Sequence, residues 1–217
     1  MTSLLEISTS ITSDTEDLLV SDGFNIFNNA NEQWALRPAL LTDTSRLPEI
    51  YNLRLNVWEH SGKSEFVNRK LYPNGWYDDL DESAFHWIVV NGENKIIASA
   101  RLNLFNSLEE FPYYQAVKNL SLPEIMPFAF FSRLVVHPQY RQNGLSRQLF
   151  TARTLFCAER EIRWSQVFIN NPGIIRQFEK SGYQNIGHAG VSYHPSSHPH
   201  LVNVFIKENK YLWIRFN

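Results

Sequence analysis

The most constraining stretch of the chain runs from Phe128 to Arg160. Phe128–Val136 is almost unbroken apolar sequence, which predicts a strand buried on both faces. A short polar turn follows, and from Gly144 onward apolar residues at Leu145, Leu149, Ala152 and Phe156 recur at steps of four, three and four, one face of an amphipathic helix. At such a strand-to-helix junction the first helical amides lack internal partners and the dipole's positive end faces outward. The pattern therefore predicts an anion site, with Gly144 allowing close approach of the backbone to a phosphate. Taken alone, Arg141-x-x-Gly144-x-Ser146 also fits a glycine that ends a loop and a solvated arginine.

The flanking sequence supplies further elements. Trp34–Leu41 predicts a first strand; Asp43, Thr44 and Ser45 offer caps for a helix through Leu47, Tyr51, Leu55 and Trp58, and a second short helix is expected near Ser64–Leu71. Phe85–Val90 and Ile96–Leu104 are β-rich runs joined by Asn91-Gly92-Glu93-Asn94, a hairpin signal. Prolines at 112, 123 and 127 mark an inserted loop or short helix. Beyond the central helix come a strand at Trp164–Ile169, a helix at Pro172–Lys180 closed by Ser181-Gly182, and strands at Tyr183–Tyr193 and Leu201–Lys207.

With 217 residues, 43% hydrophobic and 19% charged, one globular domain is expected over residues 33–217. Residues 1–32, rich in Ser, Thr, Asp and Asn, read as an acidic leader. The formal charge is −2 overall, but residues 1–36 hold six acids and no Lys or Arg, leaving +4 elsewhere. That modest surplus suits an anionic ligand and gives no reason to invoke nucleic acid. No apolar run approaches the length of a membrane helix, so no membrane association and a cytoplasmic location are expected. Cys157 is the only cysteine, and its place on a helical pattern predicts a packed thiol.

Val136-His137-Pro138 followed by Arg141-Gln142-Asn143-Gly144-Leu145-Ser146 resembles motif A of the GNAT superfamily of N-acetyltransferases. Asn171-Pro172-Gly173 through Phe178-Glu179-Lys180-Ser181-Gly182-Tyr183 is similar to its motif B. The resemblance implies an α/β (α+β) fold with a mixed, mainly antiparallel sheet of about seven strands, splayed at the fourth and fifth and flanked by helices. It also implies acetyl-CoA or another acyl-CoA as cosubstrate. The pyrophosphate would lie on Arg141, Gln142, Asn143, Gly144, Leu145, Ser146 and Arg147, and the pantetheine along Leu134, Val135 and Val136 and on Asn171. Two positions depart from the pattern. Ser146 stands where the family has Gly or Ala, and Phe178 where many members carry a tyrosine that protonates the departing thiolate.

A narrower resemblance links the chain to acyl-homoserine-lactone synthases and long-chain N-acyl amino acid synthases. It rests on Arg54 and Trp58, Asp78–Glu82 leading into His86-Trp87, Arg101, and Ser132-Arg133-Leu134, with Phe130 where the lactone synthases have Glu. It implies that the donor is acyl-CoA or an acylated carrier protein. The expected function is acyl transfer to the amine of a small molecule, with a non-catalytic acyl-CoA sensor as the rival that Phe178 favours. An oligomer, a dimer included, is compatible with the sequence.

The catalytic base is not legible. His86, Glu124 and His194 are candidates by type, as are Asp81 and Glu82. His188, His194, His198 and His200 have spacings that metals use, but without an evident supporting shell no metal is expected. Arg101 and Arg133 lie within predicted strands, where an unpaired guanidinium is costly. They either pair with acids such as Asp81 or face a cleft and bind an acceptor's carboxylate.

Overall fold

The computed structural model describes residues 36–61, 64–194 and 198–209. Seven strands form one sheet: β1 (Ala39–Leu40), β2 (Phe85–Val90), β3 (Ile96–Phe105), β4 (Phe128–Val136), β5 (Trp164–Ile169), β6 (Gln184–Val191) and β7 (His200–Glu208). Their spatial order is β1-β2-β3-β4-β5-β7-β6. Every neighbouring pair is antiparallel except β4–β5. Among the described residues four α-helices accompany them: α1 (Leu47–Glu59), α2 (Tyr114–Val117), α3 (Leu145–Glu159) and α4 (Pro172–Lys180).

The parallel pair follows from chain order. Residues 137–163 between β4 and β5 contain α3, a crossover long enough to return the chain to the same end of the sheet. α3 packs on β2, β3 and β4 through Leu145, Leu149, Phe150 and Phe156, all buried. Each such side chain contributes about 1.5–3 kcal/mol of transfer free energy on burial. A separate cluster holds α1 to the sheet, with Ile50, Leu53 and Val57 against Ile88, Ile96 and Val135. A third joins the 106–127 insertion to β4, β6 and β7 through Phe111, Val117, Phe128 and Val204.

Local chemistry sets the element ends. Asp43 Oδ1 accepts from Ser45 N at 3.0 Å and starts the turn that leads into α1. In the β2–β3 hairpin Asn91 Oδ1 accepts from Glu93 N at 3.1 Å and Lys95 N at 2.9 Å, while Asn94 takes φ 58°.

Two expected elements differ. The first strand shrinks to Ala39–Leu40, paired to Ile88 and Trp87, because Pro38 has no amide to give to a ladder; Trp34 and Ala35 lie outside the described residues. The helix expected near Ser64–Leu71 is a set of turns. There Asn68 Oδ1 takes the amides of Lys70 (3.0 Å) and Leu71 (3.1 Å), offering the backbone a local alternative to helical bonding. The leader at 1–32 lies outside the described residues.

Candidate active site

The turn after β4 is shaped by two left-handed residues, Gln142 at φ 67° and Gly144 at φ 72°. Gly144 is the N-cap of α3, and no side chain caps the helix there. A Cβ built on Gly144 meets nothing within 4 Å, so glycine is favoured there by backbone conformation alone and its face is open. The uncapped first turn offers amides and a positive dipole end to an anion.

Beside this turn the sheet opens. The β4–β5 ladder runs from Phe128↔Trp164 to Phe131↔Val167 and stops, although β4 continues to Val136 and β5 to Ile169. On its other side β4 is bulged. The register passes from Ser99↔Val135 to Arg101↔Ser132, so an extra residue falls at Arg133–Leu134, and Arg133 takes φ 53°. A bulge leaves that residue out of the ladder and re-aims its side chain.

The result is a cleft of about 870 Å³. Of the residues expected to hold the cosubstrate, Leu134, Val135, Val136, Arg141, Gln142, Gly144, Leu145, Ser146, Arg147 and Asn171 line it. Asn143 does not, and its Nδ2 donates to Tyr140 O at 3.3 Å. The carboxamide oxygen of Asn171 is already engaged, accepting from Gly173 N at 2.9 Å and Ile174 N at 3.2 Å as the cap of α4. Only its Nδ2 is left for a ligand.

Arg101 and Arg133 also line the cleft and belong to a buried ionic cluster. Arg54 Nη1 lies 2.8 Å from Asp81 Oδ1, and Arg101 Nη1 lies 3.0 Å from Asp81 Oδ1 and 2.5 Å from Asp78 Oδ1. Arg133 Nη2 donates to Asp78 Oδ2. Pairing with acids and lining the cleft are therefore not exclusive for these arginines: both do both. Burial opposes ionisation of both aspartates, but Arg133 and Arg101 outweigh it at Asp78, and Arg54 and Arg101 at Asp81, so both carboxyls sit below the usual range. Burial pulls Arg54 down to about 10, which leaves it charged at neutral pH.

The base candidates fall elsewhere. His86 is 5% exposed. Its Nδ1 accepts from Arg54 Nη2 at 3.3 Å, which puts the proton on Nε2, 3.2 Å from Asp81 O. Burial, then Arg54, lowers its pKa, so His86 is a neutral member of the cluster. Glu124 is exposed in the loop before β4, and His194 stands edge-on to Tyr72 at 5.3 Å; none of the three lines the cleft.

The histidines that do line it, among the described residues, are His60 and His200. Asn170 Nδ2 donates to His200 Nε2 at 3.0 Å. Phe178 is on the cleft wall too, packed against Phe150 (4.7 Å between centroids) and Tyr183 (4.8 Å). Sequence reasoning missed the aromatic wall made by Trp76 with Trp58 (4.7 Å) and Tyr193 (5.6 Å), since no motif or periodicity joins these positions. It also missed Arg153, buried on α3, whose Nη1 donates to Arg101 O at 3.2 Å. Among the described residues no group of three or more His, Cys, Asp or Glu could hold a metal ion, and no helix is long and apolar enough to cross a membrane.

A seven-stranded mixed sheet with one parallel pair, opened beside a glycine-capped helix, is the architecture of the N-acetyltransferase fold. The chain belongs to the Acetyltransferase (GNAT) family, whose profile matches residues 47–183. Members of that family use acetyl-CoA or another acyl-CoA and act on amine acceptors. Similar solved structures include FeeM, an N-acyl amino acid synthase from uncultured soil microbes, at 13% identity and TM-score 0.56 over 79% of this chain and 90% of that one. A histone acetyltransferase HPA2 and related acetyltransferase from Corynebacterium glutamicum matches at 11% identity and TM-score 0.55, covering 79% and 96%. The ribosomal-protein-S18-alanine N-acetyltransferase from Escherichia coli matches at 14% and 0.51, covering 79% and 92%. At these identities the likeness establishes the fold. No curated protein matches the chain significantly.

Proposed function

We propose that the protein transfers an acetyl or longer acyl group from an acyl-CoA thioester to the amine of a small molecule. The observation that carries this reading is the open, glycine-capped start of α3 beside the point where β4 and β5 part.

In this reading the CoA pyrophosphate lies on the amides of Leu145, Ser146 and Arg147, with Arg141 and Arg147 adding charge. The pantetheine arm extends along Leu134–Val136, whose edge toward β5 is unpaired in the ladder, and brings the thioester to the apex of the opening. The amine nitrogen attacks the thioester carbonyl, the C–N bond forms, and the oxyanion is stabilised by a backbone amide at the β4 bulge. The C–S bond then breaks and CoA leaves as thiolate or thiol. The amine's proton passes to water or to the His60 imidazole on the cleft wall, whose Nδ1 donates to Asn56 O at 2.7 Å and leaves Nε2 to accept. Holding both substrates in one cleft supplies much of the rate.

Residues 33–217 act as one catalytic unit in this reading, with 1–32 as an acidic leader, in a cytoplasmic protein. A non-catalytic acyl-CoA sensor is the second reading, favoured by the absence of a hydroxyl at Phe178. Two measurements separate them: calorimetric titration with CoA and acetyl-CoA, and thiol release from acetyl-CoA and long-chain acyl-CoA over a panel of amines. The enzyme binds and releases thiol only when an amine is present; a sensor binds without turnover. Absence of CoA binding overturns both.

A further inference from the structure

Arg54, Arg101 and Arg133 share two carboxylates. Among the described residues, every ion pair they make goes to Asp78 or Asp81, and the remaining titratable member, His86, is a neutral donor and acceptor. The cluster thus carries one uncompensated positive charge in a place where an unpaired charge is costly.

The surplus is expressed at Arg133. Arg101 is fully used: Nε donates to Ser132 Oγ at 2.9 Å, Nη1 faces both aspartates, and Nη2 donates to Asp78 Oδ2 at 3.3 Å. Arg54, 0% exposed, spends Nη1 and Nη2 on Asp81 and His86; its Nε is unpartnered but lies off the cleft. Arg133 makes its polar contact through Nη2 alone, its Nε is enclosed without a partner, and its side chain is 5% exposed on the cleft wall. Its guanidinium carbon lies 3.8 Å from the Trp76 ring centroid, and with Nη2 on Asp78 and Nε enclosed, Nη1 is the nitrogen left among the described residues to give an anion a charge-assisted hydrogen bond.

We propose that Arg133 receives the carboxylate of the acceptor, which makes the acceptor an α-amino acid; this rests on the acyl-transfer reading above. The phosphates of the donor belong at the start of α3, on the other side of the β4 bulge, so the anion at Arg133 comes from elsewhere. Arg133 is itself the bulge residue, two positions beyond the last rung of the β4–β5 ladder at Phe131↔Val167. In an α-amino acid a single carbon separates amine from carboxylate. A carboxylate on Arg133 therefore holds the amine beside the opening where the thioester emerges, which a distant carboxylate does not do. Trp58, Trp76, Tyr113 and Tyr193 line the same cleft and favour an apolar or aromatic side chain.

The test uses the full chain, with acetyl-CoA, a long-chain acyl-CoA and succinyl-CoA as donors. L-Phenylalanine, L-leucine and L-tyrosine are compared with their amides, their methyl esters and the corresponding decarboxylated amines. Thiol release is followed, along with the melting temperature of the CoA-loaded protein with each acceptor. The free acids are expected to exceed their uncharged counterparts at least 100-fold in kcat/KM and to raise the melting temperature more. Arg133→Gln is expected to raise KM for the free acids at least 50-fold and Arg133→Lys less, both with an unchanged Kd for CoA.

Equal use of amines lacking the carboxylate, or no difference in melting temperature between acid and amide, overturns the proposal. So does a preference for succinyl-CoA that ignores the acceptor's carboxylate, which would assign the anion to the donor. Failure of CoA itself to bind overturns the acyl-transfer reading instead, and the CoA titration reports that separately. The wild-type comparison stands even if the Arg133 variants fold poorly.

Discussion

Arg101 Nη1 donates to Asp78 Oδ1 at 2.5 Å, tying the buried middle of β3 to the turn that precedes β2. Asp78 also receives Arg133 from β4 and caps its own turn by accepting from Leu80 N at 3.1 Å. One carboxylate thus anchors a loop, two strands and a wall of the cleft.

Asp78→Asn removes an anion from between two buried guanidiniums. Loss of about 3 kcal/mol of stability is expected, the low end for breaking a buried pair because the Asp78 side chain is 24% exposed. Asp78 and Asp81 both have pKa values depressed in the folded state. Their contribution is fully present above the ordinary carboxylate pKa of about 3.9 and is lost as the pH falls through that value toward the depressed folded pKa. Urea titrations of wild type and Asp78→Asn from pH 7 to pH 3 check this: the wild type should lose stability below about pH 4, and the variant should lose less.

Gly144→Val places a β-branched residue at φ 72°. The left-handed conformation costs roughly 1–2 kcal/mol for an L residue, so the start of α3 must distort. CoA affinity, measured by calorimetry, is expected to fall at least tenfold, and the melting temperature by about 2–8 °C from the backbone strain alone, since a Cβ there meets no neighbour.

Phe178→Tyr restores the hydroxyl that many family members carry there. Departure of a thiolate with a pKa near 8.5 costs only about 2 kcal/mol at pH 7, so single-turnover acyl transfer should speed up by no more than about 30-fold. The added hydroxyl enters the packing between Phe150 and Tyr183 and should lower stability by about 1–3 kcal/mol if it finds no partner.

Gly75→Ala probes how the cleft wall is mounted. Gly75 has φ 99°, and a Cβ there would stand 2.7 Å from Tyr51 Cβ and 2.9 Å from the Tyr51 carbonyl carbon. This close approach lets Trp76 N donate to Tyr51 O at 3.0 Å. The substitution is expected to cost more than about 1 kcal/mol, seen as a lower denaturation midpoint, and to raise KM for the acceptor more than for the donor.

Cys157 is 1% exposed, and burial pushes its thiol up to about 12. At pH 8 the native protein should react with a disulfide reagent far more slowly than the urea-unfolded chain. Rapid stoichiometric labelling of the native protein would contradict this.

The strand, turn and helix from Phe128 to Glu159 were legible in the sequence because each signal is local. Apolar runs mark buried strands, helical spacing marks the face of α3, and Gly144 occupies a backbone conformation other residues avoid. The same holds for the Asn91 hairpin and the Asn171 cap, where a side chain bonds amides two to four residues away. The sequence pattern did not reveal that Arg54, Asp78, Asp81, Arg101 and Arg133 form one cluster, that His86 is sealed inside it, or that Trp76 and Tyr193 meet edge to face on the cleft wall. Those relations depend on ladder register and on the β4 bulge. A single extra residue reverses which face of a strand a side chain meets, and that choice is made by packing of the whole sheet, not by any neighbourhood of the chain.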